Sequence, residues 1–114
     1  MRIEEKEAFI HRVAEEHVLE RNEKIMWSLH AVKKLRSEGY RKMHIEESLK
    51  KCTIIEDYTM EGRLLPGCLT LGYFDSEPVH VVVAIDRDWD RIFIITVYKP
   101  SADRWSDDWK KRKI

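Results

Sequence analysis

Two residues that could carry acid–base chemistry, His80 and Tyr98, belong to two strongly β-forming segments near the C-terminus. A neutral imidazole can take up a proton near pH 7, and a phenol can donate a proton or a hydrogen bond. The segments 79–85 and 92–98 flank the charged stretch 86–91, and this pattern predicts a β-hairpin. Paired strands can bring one side chain from each strand together, so these two residues are the first candidates for a site.

The length of the hairpin loop decides whether these two side chains share a face of the sheet. A five-residue loop, 87–91, places His80 directly opposite Tyr98, and residues directly opposite each other share a face. A four-residue loop, 87–90, shifts the pairing by one residue and sends them to opposite faces. Both loop lengths are ordinary, so the sequence leaves their proximity open. For either residue alone, packing in the core or at the rim is the more common role.

A basic and aromatic segment follows the last predicted strand. Lys99, Arg104 and Arg112 could neutralise phosphate groups, and Trp105 and Trp109 could stack on unpaired bases. The two tryptophans are spaced so that on a helix they would share one face. Because a buried tryptophan is a common anchor, we expect at least one of them to pack this segment onto the body of the protein.

A second histidine, His30, opens the second predicted helix and is another candidate proton carrier. A single histidine more often has a capping or packing role. The five histidines and two cysteines show no ligand spacing, so the sequence predicts no metal site and no cofactor. Cys52 and Cys68 lie in a chain without an export signal, and we expect both to be reduced thiols.

The charge of the chain is balanced in total but uneven in distribution. Lys and Arg number 21, and Asp and Glu also number 21. The segments 33–51 and 91–114 each hold seven basic and three acidic residues, whereas 52–90 holds two basic and eight acidic residues. If the fold brings the two basic segments together, they create a positive field that attracts phosphates. Two separate solvated faces are the more common outcome.

Length and composition limit the class of protein. At 114 residues, the chain is expected to form a single domain, residues 1–114, around one hydrophobic core. The charged N-terminus lacks the apolar stretch of a secretory signal, and no run is long enough to span a bilayer. We therefore expect a soluble, cytoplasmic protein with no membrane partner.

The periodicity of the apolar residues predicts an α+β fold. Helices come first and strands follow, which favours N-terminal helices packed on a four-stranded antiparallel sheet, with a short basic and aromatic C-terminal segment. Ser28 is the predicted N-cap of the second helix, and Gly39 is the predicted residue that ends it. The run Ile25–Trp27 fits a strand or the lead-in to a helix, and 60–66 is a predicted connection. The predicted helices are 2–21, 28–38 and 42–51, and the predicted strands are 53–58, 68–74, 79–85 and 92–98.

A set of short motifs follows in order from the second helix to the C-terminal segment. They are Leu29-His30-Ala31, Gly39, Ile45, Leu49, 54–58, Pro66, Leu71-Gly72, 78–82, 94–100 and Trp105. In this order they resemble a family of small bacterial and archaeal proteins of unknown function that is placed near the RelE, BrnT and MqsR toxins. The resemblance covers residues 28–105 and leaves the helix 2–21 as an extra N-terminal element. One departure is Glu38, where the family usually has an arginine.

The resemblance implies a RelE-like fold and the toxin half of a toxin–antitoxin pair, sometimes encoded beside a small zinc-finger antitoxin. Related toxins cleave mRNA without a metal. The ribose 2′-hydroxyl attacks the adjacent phosphate, while the protein removes one proton, donates another and stabilises the phosphoryl oxygens. On that basis His80 or His30 is the expected base, and Tyr98 is the expected acid or a phosphate ligand.

The leading hypothesis is therefore a cytoplasmic, metal-independent endoribonuclease that acts on RNA and is neutralised by an antitoxin protein. Lys99, with Arg104 or Arg112, would form the electrostatic clamp. The alternative is a non-catalytic module that holds a protein or RNA on the open face of the same sheet. A third interpretation is a family member that has lost activity, since Glu38 and the acidic segment 52–90 would repel RNA.

Overall fold

The helices begin and end close to the residues that the sequence indicates. The computed structural model describes residues 1–58 and 64–114. Its helices are α1 (Ile3–Glu20), α2 (Leu29–Glu38) and α3 (Lys42–Leu49). The predicted N-cap is confirmed, because Ser28 Oγ accepts a hydrogen bond of 3.0 Å from the Ala31 backbone N–H. Gly39 ends α2 with a φ of 78°, in the left-handed region that glycine adopts without strain. Within the described ranges, none of the helices combines the length and hydropathy of a bilayer-crossing segment.

Over residues 1–58 and 64–114 the sheet has five strands and is mixed, so the prediction of a four-stranded antiparallel sheet is wrong. The strands are β1 (Ile25–Trp27), β2 (Thr53–Tyr58), β3 (Gly67–Phe74), β4 (Glu77–Asp86) and β5 (Arg91–Tyr98). Their order across the sheet is β1-β5-β4-β3-β2, and β1 runs parallel to β5 while the other pairs are antiparallel. Three residues are too few to show a period, so the pattern could not assign β1. The predicted connection 60–66 lies partly outside the described residues.

The core forms between the three helices and one face of the sheet. Ile10, Val13, Ala31, Leu35, Ile45 and Leu49 come from the helices, and Val79, Val81, Val83, Ile85, Ile92, Ile94 and Val97 from the strands. Cys52 and Cys68 are free thiols buried in the same core. Burying these apolar side chains is the main favourable term in folding. The opposite face of the sheet carries His80.

The hairpin formed by β4 and β5 changes its register part-way along. Its loop has four residues, 87–90. Further along, Ile95 is an extra residue on β5 that has no partner on β4, which is the arrangement of a β-bulge. The pairs on either side of the bulge are Val83 with Ile94 and Val82 with Thr96.

The bulge determines which face of the sheet the end of β5 presents. Before it, Ile92 and Ile94 point into the core, and after it Val97 does so. Tyr98 therefore points to the opposite face, where it is paired directly with His80. The short loop alone would have separated these two side chains, and the bulge brings them together.

Helix α2 lies beside β5 beyond the point where β1 ends. His30 Nε2 is 3.0 Å from Thr96 Oγ1, which joins the first turn of α2 to β5. Lys34 and Glu38 follow His30 at intervals of four residues, so the three share one face of the helix. This face runs along β5 towards Tyr98.

The C-terminal segment, residues 99–114, forms turns and contains no helix. It folds back on itself, since Trp105 and Arg112 form an isolated antiparallel bridge and the Lys113 N–H donates to the Arg104 carbonyl at 2.7 Å. Trp105 is only 3% exposed, which confirms that at least one tryptophan anchors this segment.

Candidate functional site

A basic cleft opens where the end of β5, the last turns of α2 and the C-terminal segment meet. Its volume is about 480 Å³, which is within the usual range for pockets that bind small ligands. The basic cleft is lined by Lys34, Glu38, Tyr98, Lys99, Ser101, Arg104, Trp105 and Arg112. Its cations come from both of the basic segments in the sequence, so the fold does bring these segments together.

Tyr98 links the basic cleft to a buried histidine. The hydroxyl oxygen of Tyr98 is 3.2 Å from His80 Nδ1. The other ring nitrogen, Nε2, is 2.8 Å from the main-chain carbonyl oxygen of Trp109. His80 is completely buried, so it reaches the cleft only through Tyr98.

These two hydrogen bonds fix the tautomer of His80. A carbonyl oxygen can only accept a hydrogen bond, so Nε2 must carry the proton that it donates to Trp109. In the neutral ring Nδ1 is then an acceptor, and the Tyr98 O–H donates to it. The Tyr98 oxygen keeps its lone pairs for a group in the cleft.

Burial keeps both members of this pair uncharged at neutral pH. It lowers the pKa of His80 below its ordinary value of 6.5, and the Trp109 carbonyl and Glu56 only partly oppose this effect. Burial likewise raises the pKa of Tyr98 above its ordinary value of 10.0. A neutral imidazole that accepts from a neutral phenol is therefore the resting state.

Trp105 and Arg112 form the wall that covers His80. The rings of Trp105 and His80 meet edge to face, with centroids 4.3 Å apart. The Arg112 guanidinium lies 4.8 Å from the Trp105 ring centroid and forms two hydrogen bonds with Glu56, of 2.7 and 3.1 Å. The hydrogen bond from Arg112 is also the main reason that the pKa of Glu56 is lowered. This bidentate pair ties the C-terminal segment to β2.

The cations of the basic cleft differ in how far they are already paired. Lys34 is 3.5 Å from Glu38, and Lys99 is 3.6 Å from Glu77. Arg104 has no ion-pair partner among residues 1–58 and 64–114. The two lysine contacts are long, and the lysine side chains are themselves 36% and 48% exposed, so these contacts hold the lysines weakly. Arg104 is the cation best placed to take an anion.

Most of the site residues predicted from the sequence converge on this cleft. Tyr98, Lys99, Arg104 and Arg112 line it, and His80 supports Tyr98 from behind. His30 is not among the lining residues, although it lies one turn before Lys34 on the same helix face. Of the six candidate residues, only His30 lies outside the cleft and its direct support.

Three participants were not singled out as site residues. Lys34 and Glu38 follow His30 at four-residue spacing on one face of α2. This spacing would place them near β5 only if the packing of α2 beside β5 were already known. Glu56 was seen only as part of an acidic segment. Its pairing with Arg112 spans 56 positions of the chain, and no local pattern reveals such a contact.

Comparison with known proteins identifies the family. Residues 27–99 match the model of a domain of unknown function, DUF4258. A search of curated proteins and a search of solved structures each gave no match. The matched residues include Tyr98 and His80, whereas Arg104, Trp105 and Arg112 follow the matched part. The match covers well over half of the chain, and the protein belongs to the DUF4258 family.

Proposed function

We propose that the protein is a metal-independent endoribonuclease of the toxin type, and that a partner protein neutralises it. The observation that carries the proposal is the placement of Tyr98. It lines a cleft with four cationic side chains, and its hydroxyl donates to a buried neutral histidine. RNA cleavage by an internal 2′-hydroxyl needs a proton acceptor and positive charge in one place, and this cleft offers both.

The tautomer of His80 favours Tyr98 as the group that takes the first proton. The 2′-hydroxyl passes its proton to the Tyr98 oxygen, and Tyr98 passes its own proton to His80 Nδ1. The 2′-oxygen forms a bond to phosphorus, and the bond from phosphorus to the 5′-oxygen breaks. The products are a 2′,3′-cyclic phosphate and a 5′-hydroxyl end. His80 then returns its proton to solvent through Tyr98.

The cations of the cleft carry the remaining tasks. Arg104 is unpaired within the described residues and offers the planar fork that suits two phosphoryl oxygens. Lys99 follows Tyr98 directly, and its ammonium group donates the proton that the 5′-oxygen needs. Arg112 is held by Glu56, so it contributes positive potential and supports the wall.

The helices packed on a mixed sheet are compatible with the RelE-like fold that the toxin resemblance implies. An antitoxin that places carboxylates in the basic cleft would block phosphate binding by charge neutralisation. A small zinc-finger protein in that role and a cytoplasmic location belong to the same proposal.

Substitution of Tyr98 by Phe tests the proposed function. We expect Tyr98→Phe to lower RNA cleavage at least about 100-fold, since the relay loses its central proton carrier. Its free energy of unfolding should fall by only about 1 kcal/mol, because one hydrogen bond is lost while the ring stays in place. Gel analysis of a defined single-stranded RNA and urea unfolding measure the two effects.

Tyr73→Phe is the matched control, because Tyr73 is an exposed tyrosine on β3 outside the cleft. This variant should cleave like the wild type. A folded wild-type protein that leaves RNA intact, with and without ribosomes, would contradict the proposal.

A non-catalytic RNA-binding module is the second candidate. The observation in its favour is that Glu38, Glu77 and Glu56 each contact one cation of the cleft, which reduces the charge available in a transition state. The two functions differ in one measurement. A binding module holds RNA equally well with Tyr98 or Phe at this position and never shortens it.

A further inference from the structure

Among the described residues that line the basic cleft, Glu38 is the one acidic side chain. It is the last residue of α2, and only 22% of its side chain is exposed. Its Oε1 is 3.5 Å from Lys34 Nζ, and Oε2 has no hydrogen-bond partner among the described residues. A carboxylate at this position repels phosphate. It therefore favours binding of a nucleic acid only if the nucleic acid donates hydrogen bonds to it.

Glu38 and Arg104 belong to different walls of the cleft. Arg104 lies in the C-terminal segment and is the cation that is free to accept a phosphate among the described residues. Glu38 belongs to α2. A volume of about 480 Å³ has room for one nucleotide whose phosphate meets Arg104 while its base meets the wall formed by α2.

The chemistry of the bases selects among the possible occupants. An unpaired base in single-stranded RNA exposes its Watson–Crick edge to hydrogen bonding. Guanine presents two parallel N–H donors on this edge, N1–H and an N2 amino hydrogen, and a carboxylate can accept both. Adenine and cytosine each present one amino group beside an unprotonated ring nitrogen, which faces a carboxylate unfavourably. Uracil presents one N–H between two carbonyl oxygens.

We infer that Glu38 is a specificity-determining residue that selects guanine in the nucleotide next to the phosphate held by Arg104. This inference rests on the proposed function, because it requires RNA in the basic cleft. Lys34 contacts only Oε1 of Glu38 and leaves Oε2 for the base. The substrate class is single-stranded RNA that contains guanine.

Binding measurements test the inference independently of cleavage. The Tyr98→Phe protein keeps the RNA intact, and four short oligonucleotides that differ at one base are titrated into it at fixed salt. Fluorescence anisotropy then gives each affinity. We expect the guanine oligonucleotide to bind at least about fivefold more tightly than the other three, the lower bound for a bidentate base contact.

Glu38→Gln in the same background should abolish this preference in a characteristic way. Affinity for the guanine oligonucleotide falls, while affinity for the other three is unchanged or rises, because the charge that repels phosphate is gone. Glu47→Gln is the control, since Glu47 lies on α3 and pairs with Lys50 at 3.0 Å away from the cleft. It should keep the guanine preference.

Four results would overturn the inference, and they separate it from the proposed function. Equal binding of all four oligonucleotides, or a uniform rise in affinity after Glu38→Gln, leaves the nuclease and removes Glu38 as a selector. Loss of cleavage in Glu38→Gln with Tyr98 intact, together with unchanged base preference, makes Glu38 a proton-transfer group instead. Failure of every oligonucleotide to bind overturns both proposals.

Discussion

The two halves of the β4–β5 hairpin are both rich in Val and Ile but have different roles. In the half next to the loop, Ile92 and Ile94 point into the core, and the loop length sets their register. In the half beyond the bulge, Val97 takes the core position and Tyr98 faces His80 on the open side. One extra residue, Ile95, separates a half that serves packing from a half that serves the candidate site.

The comparison shows how a site can be built without disturbing the core. A register shift of one residue moves every following side chain to the other face. Because the bulge lies near the end of β5, only the last residues exchange faces. The half next to the loop keeps its apolar contacts, and Tyr98 leaves the core side for the cleft. Bulges near functional sites commonly redirect a side chain in this way.

Insertion of one alanine between Val82 and Val83 should break the difference between the two halves and have the largest effect. The inserted residue gives Ile95 a partner on β4, so the ladder alternates without a bulge and directs Tyr98 into the core and Val97 to the cleft. We expect the free energy of unfolding to fall by at least about 3 kcal/mol, with complete loss of RNA cleavage. Urea unfolding and the RNA assay measure the two effects.

Ile95→Val is the control for this insertion, because it keeps the residue count and alters a partly exposed side chain. It should cost less than about 1 kcal/mol. An insertion variant that keeps wild-type stability and activity would show that the bulge does not set the position of Tyr98.

His80→Ala should weaken only the half beyond the bulge. The substitution leaves a cavity and deprives the Trp109 carbonyl of its donor, so we expect a loss of about 2–4 kcal/mol. Phe93→Leu, on the same open face next to the loop, should cost less than about 1.5 kcal/mol. Equal losses at the two positions would remove the distinction between the halves.

The same variant has a pH signature. Burial lowers the pKa of His80, so the unfolded chain binds the proton more readily than the folded protein does. The contribution of His80 to stability is therefore complete above pH 6.5. It is lost as the pH falls from that value through the lowered pKa of His80. The difference in unfolding free energy between wild type and His80→Ala should shrink over this range.

Asp90→Asn should give the smallest effect and act only at the loop. Asp90 receives hydrogen bonds of 2.6 Å from both Arg12 on α1 and Lys24 just before β1, which tie these two segments to the hairpin. It has a φ of 52°, a left-handed conformation that asparagine also tolerates, so the substitution removes charge without straining the backbone. Because Asp90 and Arg12 are nearly half exposed, we expect a loss of about 0.5–1 kcal/mol.

Salt and acid identify this loss as electrostatic. The difference between Asp90→Asn and wild type should shrink in about 1 M salt, where such pairs are screened. The hydrogen bond from Arg12 is the main cause that lowers the pKa of Asp90 to about 2. The contribution of Asp90 to stability is therefore present above pH 3.8 and is lost as the pH falls towards about 2. A loss that ignores salt would point to backbone strain.

The sequence predicted local structure well because local signals determine it. Ser28 and Gly39 mark the ends of α2, and the strand 53–58 was predicted with the limits that β2 has. The α+β class followed from the change of period after the helices. These features depend on neighbours a few residues apart, and such interactions can be recognised in a single sequence.

The features that the sequence could not predict depend on contacts between distant residues. The parallel pairing of Ile25–Trp27 with β5 joins segments that are far apart in the chain. The bulge at Ile95 interrupts a run that is apolar on both faces, so alternation gives no sign of it. The sequence leaves open whether the loop length places His80 opposite Tyr98. In the structure the bulge at Ile95, and not the loop alone, pairs them. For the same reason, the sequence could suggest, but could not establish, that four of the six candidate residues line one cleft.

The contact between His80 and Trp109 uses the main chain, and this has a consequence for genetic experiments. The carbonyl oxygen that selects the tautomer is present whatever side chain occupies position 109. An alanine scan of the last residues would therefore pass over this determinant of protonation. Trp109 has a φ of 66°, which is unusual for a bulky residue. The path of the main chain, and not the side chain, therefore places the carbonyl oxygen against His80. Replacing the amide that follows Trp109 with an ester would weaken the carbonyl as an acceptor. This replacement would test the hydrogen bond to His80 directly.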